Sequence, residues 1–328
     1  MAEITCKGCR LSQTDYISKL AFNEHELINF LSAHGVILKE LKCPKCGSDL
    51  KLGKDFFWRC QKTRIFYKGK KKLKKKCNFK QSLRKNTFFE KSKWSIELIC
   101  TYAMYYITIN PPKYPFLLEE FNASPHSVVS WNSFLREVLL EWGFRNTTME
   151  KLGGVGKTVE IGEAKMEKRK YNQSRIIEGQ WVVGGVERNS KKIFIVDMPD
   201  RTHESLLSII LEKIEEGTKI ISECWPSCSW LEEYGFIYET INPSKKFIDP
   251  QFGAHTENIE GDCGELRSKI PKAGRKKEYY AGYLAEYMFL RAYPNFRDRA
   301  HELFKAIGQL YNPSEILNLN NIFFSGLI

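Results

Sequence analysis

Two kinds of side chain in this sequence are spaced for chemistry: cysteines in CxxC pairs, and acidic residues on strand-like segments. Cys43-Pro44-Lys45-Cys46-Gly47 places two thiols on a tight turn, where Gly47 lets the backbone curl around a metal. A strand over Asp55 to Arg59 delivers Cys60, and Cys77 follows a run of lysines. Four thiolates would make a closed, tetrahedral and structural site for Zn²⁺. Cys6-Lys7-Gly8-Cys9 is another CxxC pair, so spacing alone leaves a rival set of Cys6, Cys9, Cys43 and Cys46. Thiols without any metal are a third reading. Ten cysteines in 328 residues are too sparse for a disulfide scaffold.

The charge is concentrated in one segment. Lys42 to Lys93 holds 19 Lys or Arg against 3 Asp or Glu, a local +16 that leaves −4 for the rest of a chain whose net charge is +12. Such a patch is the footprint of a polyanion partner, most often nucleic acid; a solvated lysine loop is the bland alternative. Lys68 to Lys76 reads as an exposed hairpin tip, with Lys70, Lys71, Lys72, Lys74, Lys75 and Lys76 as candidate phosphate contacts, joined by Arg84 and Lys85. The run also suits a nuclear import signal. No apolar run approaches the ~20 residues of a membrane span, and Met1 to Arg10 lacks the apolar stretch of a signal peptide. The expectation is a soluble, intracellular chain with no membrane partner.

The elements that would position these residues follow from periodicity. Thr14 to Leu38 has helical apolar spacing, and Trp94 to Ile109 carries a broad apolar face that Pro111, Pro112 and Pro115 end. Ser124-Pro125 reads as an N-cap followed by proline at the first helical position, opening a helix over Ser127 to Trp142. Two helices with a short turn suit a helix-turn-helix, or a plain helical linker. From Thr158 the pattern becomes mixed α/β. Strands are expected at Thr158 to Ile161, Gln180 to Arg188, Lys191 to Val196, Thr218 to Glu223 and Phe236 to Ile241, with helices at His203 to Glu215 and Ser227 to Tyr234. Glu278 to Tyr293 is an aromatic helix, read as core packing rather than a base-stacking surface. His301 to Tyr311 is another short helix, and Asn318 to Ile328 a frayed end.

Gly153-Gly154-Val155-Gly156-Lys157-Thr158 looks like the end of a phosphate-binding loop, but Lys151 stands where its first glycine belongs. A β-branched, alternating strand follows, so no helix N-terminus would cradle a phosphate. No nucleotide cofactor is expected.

Several phrases, in order, resemble the catalytic domain of Merlin-type DDE transposases. They are Thr158-Val159-Glu160-Ile161-Gly162-Glu163, Glu178-Gly179-Gln180-Trp181, Asp200-Arg201-Thr202, Ile220-Ile221-Ser222-Glu223 and His255-Thr256-Glu257-Asn258-Ile259-Glu260. Upstream, Ser82-Leu83-Arg84-Lys85-Asn86-Thr87-Phe88-Phe89 resembles the phrase that follows a zinc ribbon in similar chains, which favours Cys43, Cys46, Cys60 and Cys77 as the ligand set. The resemblance implies an RNase H-like fold, preceded by a zinc ribbon and a helix-turn-helix-like segment. It also implies DNA as substrate, action as a homo-oligomer, and two Mg²⁺ or Mn²⁺ ions held by three carboxylates for in-line phosphoryl transfer.

The three carboxylate positions fall on Gly162, Glu223 and Glu260. Gly162 has no side chain with which to bridge two metals. Glu160 shares its face but lies about 6.6 Å along the strand, and Glu163 points to the other face. Glu223 adds a methylene to the usual Asp, a real shift where metal sites tolerate about 0.5 Å. Gly261-Asp262-Cys263-Gly264 also departs from the family's aromatic and basic stretch, leaving Arg267 and Lys269 as possible backbone contacts. The reading is a transposase-derived DNA-binding protein, nuclear if eukaryotic, with an inactive site. An active enzyme in which Glu160 or Glu163 replaces the lost ligand, and a zinc-ribbon adaptor for RNA or protein, are the alternatives. The expected domains are residues 1–40 (helical), 41–93 (ribbon with basic hairpin), 94–150 (helical), 151–293 (transposase domain) and 294–328 (helical tail).

Overall fold

Short-range signals set most of the elements in this computed structural model, which describes residues 4–68, 71–109, 114–147, 150–166, 180–198, 200–222, 228–240, 257–270 and 279–313. Near the N-terminus the Ser12 hydroxyl accepts from the Asp15 amide and the Asp15 carboxylate accepts in return, a capping box that starts α1 (Gln13–Tyr16). A π-helical turn (Ile17–Ala21) follows, and Asn23 caps α2 (Glu24–Ala33). The apolar stripe read as one helix over Thr14 to Leu38 is therefore broken at Phe22 and Asn23, because Asn23 satisfies a new helix start better than a helix interior.

Five short strands come next: β1 (Lys51–Leu52), β2 (Phe57–Arg59), β3 (Thr63–Lys68), β4 (Lys71–Lys76) and β5 (Lys80–Ser82). β1, β2 and β5 form one antiparallel sheet, and β3 and β4 a separate two-stranded hairpin. Here the expectation of a lysine-rich hairpin tip is corrected. Lys71 to Lys76 is itself a strand, in register from Lys71↔Lys68 to Lys76↔Thr63.

α3 (Ile96–Thr108) is capped by Ser95. Pro111 and Pro112 lie outside the described residues, and Pro115 sits in the first turn of α4 (Tyr114–Glu120), where its missing amide is harmless. The turn after it ends in Ser124, whose hydroxyl accepts from the Ser127 amide at 3.1 Å, and α5 (Pro125–Thr147) starts on Pro125. Trp94, Tyr102, Phe121 and Trp131 pack as an aromatic cluster, joined by Phe88 on Trp131.

β6 (Leu152–Gly153) leads into a five-stranded sheet. β7 (Thr158–Met166), β8 (Gln180–Glu187) and β9 (Ile193–Met198) run as an antiparallel meander. α6 (His203–Lys213) and β10 (Ile214–Glu215) lead to β11 (Lys219–Ser222), which pairs parallel to β7. A 3₁₀ segment (Cys228–Tyr234) leads to β12 (Ile237–Thr240), parallel to β11. The spatial order is β12-β11-β7-β8-β9. α7 (Glu257–Lys269), α8 (Tyr280–Ala292) and α9 (Phe296–Leu310) complete the chain, and Asn318 to Ile328 lies outside the described residues.

The sheet is covered on both faces. Val159, Ile161, Val183 and Phe194 pack with Leu206 and Ile210 of α6. The alternate residues of β7 and β8 face α7, and α8 packs on β9. The chain divides into two units, residues 1–132 with 295–328, and residues 133–294. Among the described residues no helix is long and apolar enough to cross a membrane.

Candidate functional site

Four segments of the first unit bring Cys43, Cys46, Cys60 and Cys77 together, with sulfurs within 4.8 Å of one another. The knuckle closes through the Gly47 amide, which donates to the Cys43 carbonyl at 2.8 Å, and Gly47 takes φ +70° to do so. The Cys43–Cys77 and Cys46–Cys60 sulfur separations are 3.6 and 3.4 Å. A tetrahedral zinc with four thiolates has edges of about 3.8 Å. The donors fit, as a zinc ribbon requires. The Ser48 hydroxyl, 3.4 Å from Cys46 Sγ, and the Ser48 amide hold that thiol down to about 6. The rival grouping of Cys6 and Cys9 with Cys43 and Cys46 does not form.

The same cysteines clamp the basic hairpin. The Cys60 amide donates to the Phe79 carbonyl and the Cys77 amide to the Lys62 carbonyl, so β3 and β4 leave from the base of the metal cluster. Lys71, Lys74, Lys75 and Lys76 are exposed on β4. Lys72 lies on the same strand, and Lys70 lies outside the described residues. The register sets Lys75 opposite Arg64 and Lys71 opposite Lys68. Lys85 is exposed, whereas the Arg84 guanidinium donates to the carbonyls of Ser92 (3.2 Å) and Trp94 (2.7 Å). That engagement makes Arg84 a tie for its own loop. Leu83, Thr87, Phe88 and Phe89 around it are buried, so the segment from Ser82 to Phe89 is largely packing.

In the second unit, Gly162 sits on β7 opposite Gly184 of β8. Ile259 of α7 rests on both: a β-carbon at Gly162 would lie 3.0 Å from Ile259 Cγ1, and one at Gly184 2.9 Å from Ile259 Cδ1. The β11–β7 pairing reaches Ser222↔Ile161, one residue short of Glu223 and Gly162. Glu223 lies outside the described residues. Glu260 is on α7 next to Ile259, so the helix carrying it crosses the sheet at Gly162.

Neither proposed substitute carboxylate is at hand. Glu160 is fully buried (0 % exposed) and accepts from Arg188 Nε (2.9 Å), Asn258 Nδ2 (2.7 Å) and the Ile259 amide (3.4 Å). It fastens the first turn of α7 to the sheet. Glu163 points to the other face and pairs with Arg201, whose guanidinium lies 4.3 Å over the Trp181 ring. The residues described at Gly162 therefore do not fit a metal-bridging site.

Other phrases of the resemblance acquire structural roles. The Asp200 carboxylate accepts from the Thr202 amide and hydroxyl and from the Ser205 hydroxyl, which holds it below the usual range and buttresses the Thr202 N-cap of α6. The glycine-rich lead-in donates its amides to protein acceptors, Gly153 to Glu187 (2.8 Å) and Gly154 to Thr218 (2.7 Å). Asp262 is a strut between α7 and α8, accepting from Tyr287 (2.9 Å) and Arg291 (3.0 Å). Arg267 is exposed, and Lys269 pairs with Glu265 at 2.5 Å.

A second cluster was missed by sequence reasoning. Cys6, Cys9, His34 and His301 converge, their ligand atoms within 4.8 Å of one another. The CxxC pair was visible, but its histidine partners are separated from it by a helix and by most of the chain.

Residues 154–291 match the family model of ISXO2-like transposase domains. The match lies wholly within the second unit and supports a DDE transposase origin for it, with DNA as the implied partner. No curated protein matches the chain.

Proposed function

We propose that the protein is a Merlin-like, transposase-derived DNA-binding protein whose DDE site is inactive. The second unit is RNase H-like in this reading. Its support is the strand order, third-second-first-fourth-fifth, with two antiparallel hairpin pairings followed by two parallel ones. A helix crossing the first two strands adds to it. Gly162, Glu223 and Glu260 occupy the three carboxylate positions.

One observation carries the inactivity. Where the first-strand carboxylate would bridge two divalent ions, Gly162 offers no oxygen and the Ile259 side chain occupies the space above it. Two-metal phosphoryl transfer needs that bridge to hold attacking and leaving oxygens together. The partners of Glu160 and the direction of Glu163 weigh against the altered-triad reading.

DNA binding is assigned to the first unit. Cys43, Cys46, Cys60 and Cys77 hold a structural Zn²⁺ that fixes the β3–β4 hairpin. A two-stranded ribbon has the width to enter a major groove, and the lysines of β4 bind phosphates. Lys85 adds a contact beside the ribbon, and the α4–α5 pair acts as the helix-turn-helix-like segment. The lysine run serves nuclear import in a eukaryotic cell, and the protein acts as a homo-oligomer.

The test has two arms. Duplex DNA binding by the full-length protein should weaken steeply with salt, as counterion release requires; absence of binding at low salt would refute the DNA-binding assignment. Strand cleavage with Mg²⁺ or Mn²⁺ should be absent from the native protein and appear in Gly162→Asp/Glu223→Asp. Cleavage by the native protein would overturn the inactivity.

A further inference from the structure

We propose that Cys6, Cys9, His34 and His301 form a second zinc site, distinct from the ribbon, that clasps the N-terminal CxxC segment to α9. This inference is independent of the DNA-binding reading.

The ligand atoms come from three separate segments. Cys6 and Cys9 are on a knuckle anchored to the end of α2, where the amides of Thr5 and Cys6 both donate to the Ala33 carbonyl (2.9 and 3.0 Å). His34 is the C-cap of that helix. His301 lies on the buried face of α9, with Ala300, Leu303 and Phe304. Close approach of α9 to the α2 end depends on Gly308, seven residues and two turns after His301. A β-carbon there would stand 2.2 Å from the His34 carbonyl oxygen. Beyond the knuckle, the Leu11 amide donates to the Arg297 carbonyl (2.9 Å) and Arg10 pairs with Asp298 (2.9 Å).

Distances match tetrahedral coordination. His34 Nε2 and His301 Nδ1 are 3.1 Å apart. Sulfur–nitrogen separations are 3.5 Å for Cys6–His301, 3.5 Å for Cys9–His34 and 3.7 Å for Cys9–His301. With zinc–sulfur and zinc–nitrogen bonds of ordinary length, a regular tetrahedron has nitrogen–nitrogen edges of about 3.4 Å and sulfur–nitrogen edges of about 3.6 Å.

A hydrogen bond orients the His34 imidazole for a metal. His34 Nδ1 is 2.7 Å from the Phe30 carbonyl, which can only accept, so the single proton of a neutral His34 is on Nδ1. Nε2 then presents its lone pair to the cluster. His301 turns Nε2 toward a Glu302 carboxylate oxygen 4.0 Å away and faces Nδ1 inward. A carbonyl or carboxylate behind a ligating histidine is the usual support of a metal site.

Burial selects the metal. Both histidines are buried (1 % and 8 % exposed) and the cysteines half-buried. Two thiolates and two neutral imidazoles around a divalent ion sum to zero charge, which such a place tolerates. The soft and borderline donors select zinc over magnesium or calcium. With four protein ligands the coordination is closed, so the site is structural. It closes a loop that runs from residue 9 to residue 301, making the N-terminal helices depend on a helix beyond the transposase-type domain.

Counting zinc in the full-length protein by native mass spectrometry tests this. The wild type should hold two ions per chain, and Cys9→Ser and Cys43→Ser/Cys46→Ser one each. A wild type with one ion, or Cys9→Ser with two, would overturn the proposal. Should Cys9→Ser not fold, cobalt-substituted Cys43→Ser/Cys46→Ser decides. Tetrahedral d–d bands, with thiolate charge transfer about half that of a four-thiolate site, support the proposal; no tetrahedral cobalt overturns it.

Discussion

The cysteine ribbon of the first unit and the sheet centre of the second are both places where the sequence leads one to expect a metal, and their surroundings differ. In the ribbon every donor is present, and the Ser48 hydroxyl and amide serve the Cys46 sulfur. At Gly162 there is no side chain, and Ile259 packs over the position. A structural site that loses a ligand loses the fold around it. A catalytic site that loses one can keep its fold, because carboxylates that hold metals repel one another and add little to stability on their own.

Breaking the ribbon should have the largest effect. Structural zinc in small domains binds with apparent energies of about 10–16 kcal/mol. Cys60→Ser, or chelation of the wild type, should therefore release the β3–β4 hairpin and abolish duplex binding. Fluorescence anisotropy with labelled DNA reads the loss. Retained affinity in a metal-free protein would remove the ribbon from the binding surface.

In the second unit the largest single effect should come from Glu160→Ala. It removes the Glu160 carboxylate from Arg188, which is mostly buried, and frees the first turn of α7. Breaking one side of a buried pair costs about 3–5 kcal/mol, readable as a lower urea midpoint. A midpoint within error of wild type would mean that Glu160 is not a strut, and would reopen it as a candidate ligand.

Gly162→Ala should cost less, about 1–3 kcal/mol for overpacking against Ile259. Ile259→Val in the same chain should recover part of it. No recovery would place the strain elsewhere and weaken the account of how the site closed.

Smallest in stability, within about 0.5 kcal/mol, should be Lys74→Gln/Lys75→Gln/Lys76→Gln on the exposed strand. Its consequence belongs to binding: the slope of log affinity against log salt should flatten by about 0.9 for each phosphate that is no longer neutralised. An unchanged slope would move the DNA surface off the hairpin.

Much of this was legible from neighbouring residues. Ser124-Pro125 announced the start of α5, alternation over Thr158 to Ile161 announced the start of β7, and Cys43 to Gly47 announced a metal knuckle, because each depends on hydrogen bonds or side-chain direction over a few residues. The reading of Lys68 to Lys76 as a tip failed because composition gives charge and exposure, not register. Arg84 illustrates a further limit. Its type suits phosphate, yet two carbonyls eight and ten residues on engage it.

The sequence by itself determined the element types, the segregation of positive charge and the absence of an oxygen ligand at Gly162, all properties of local order. Tertiary structure alone decided that Ile259 would cover Gly162, that Glu160 would anchor a helix 98 residues later, and that Cys6 and Cys9 would meet His34 and His301. Those outcomes depend on which faces pack together. Burial energy fixes that choice only when the whole chain has closed on itself.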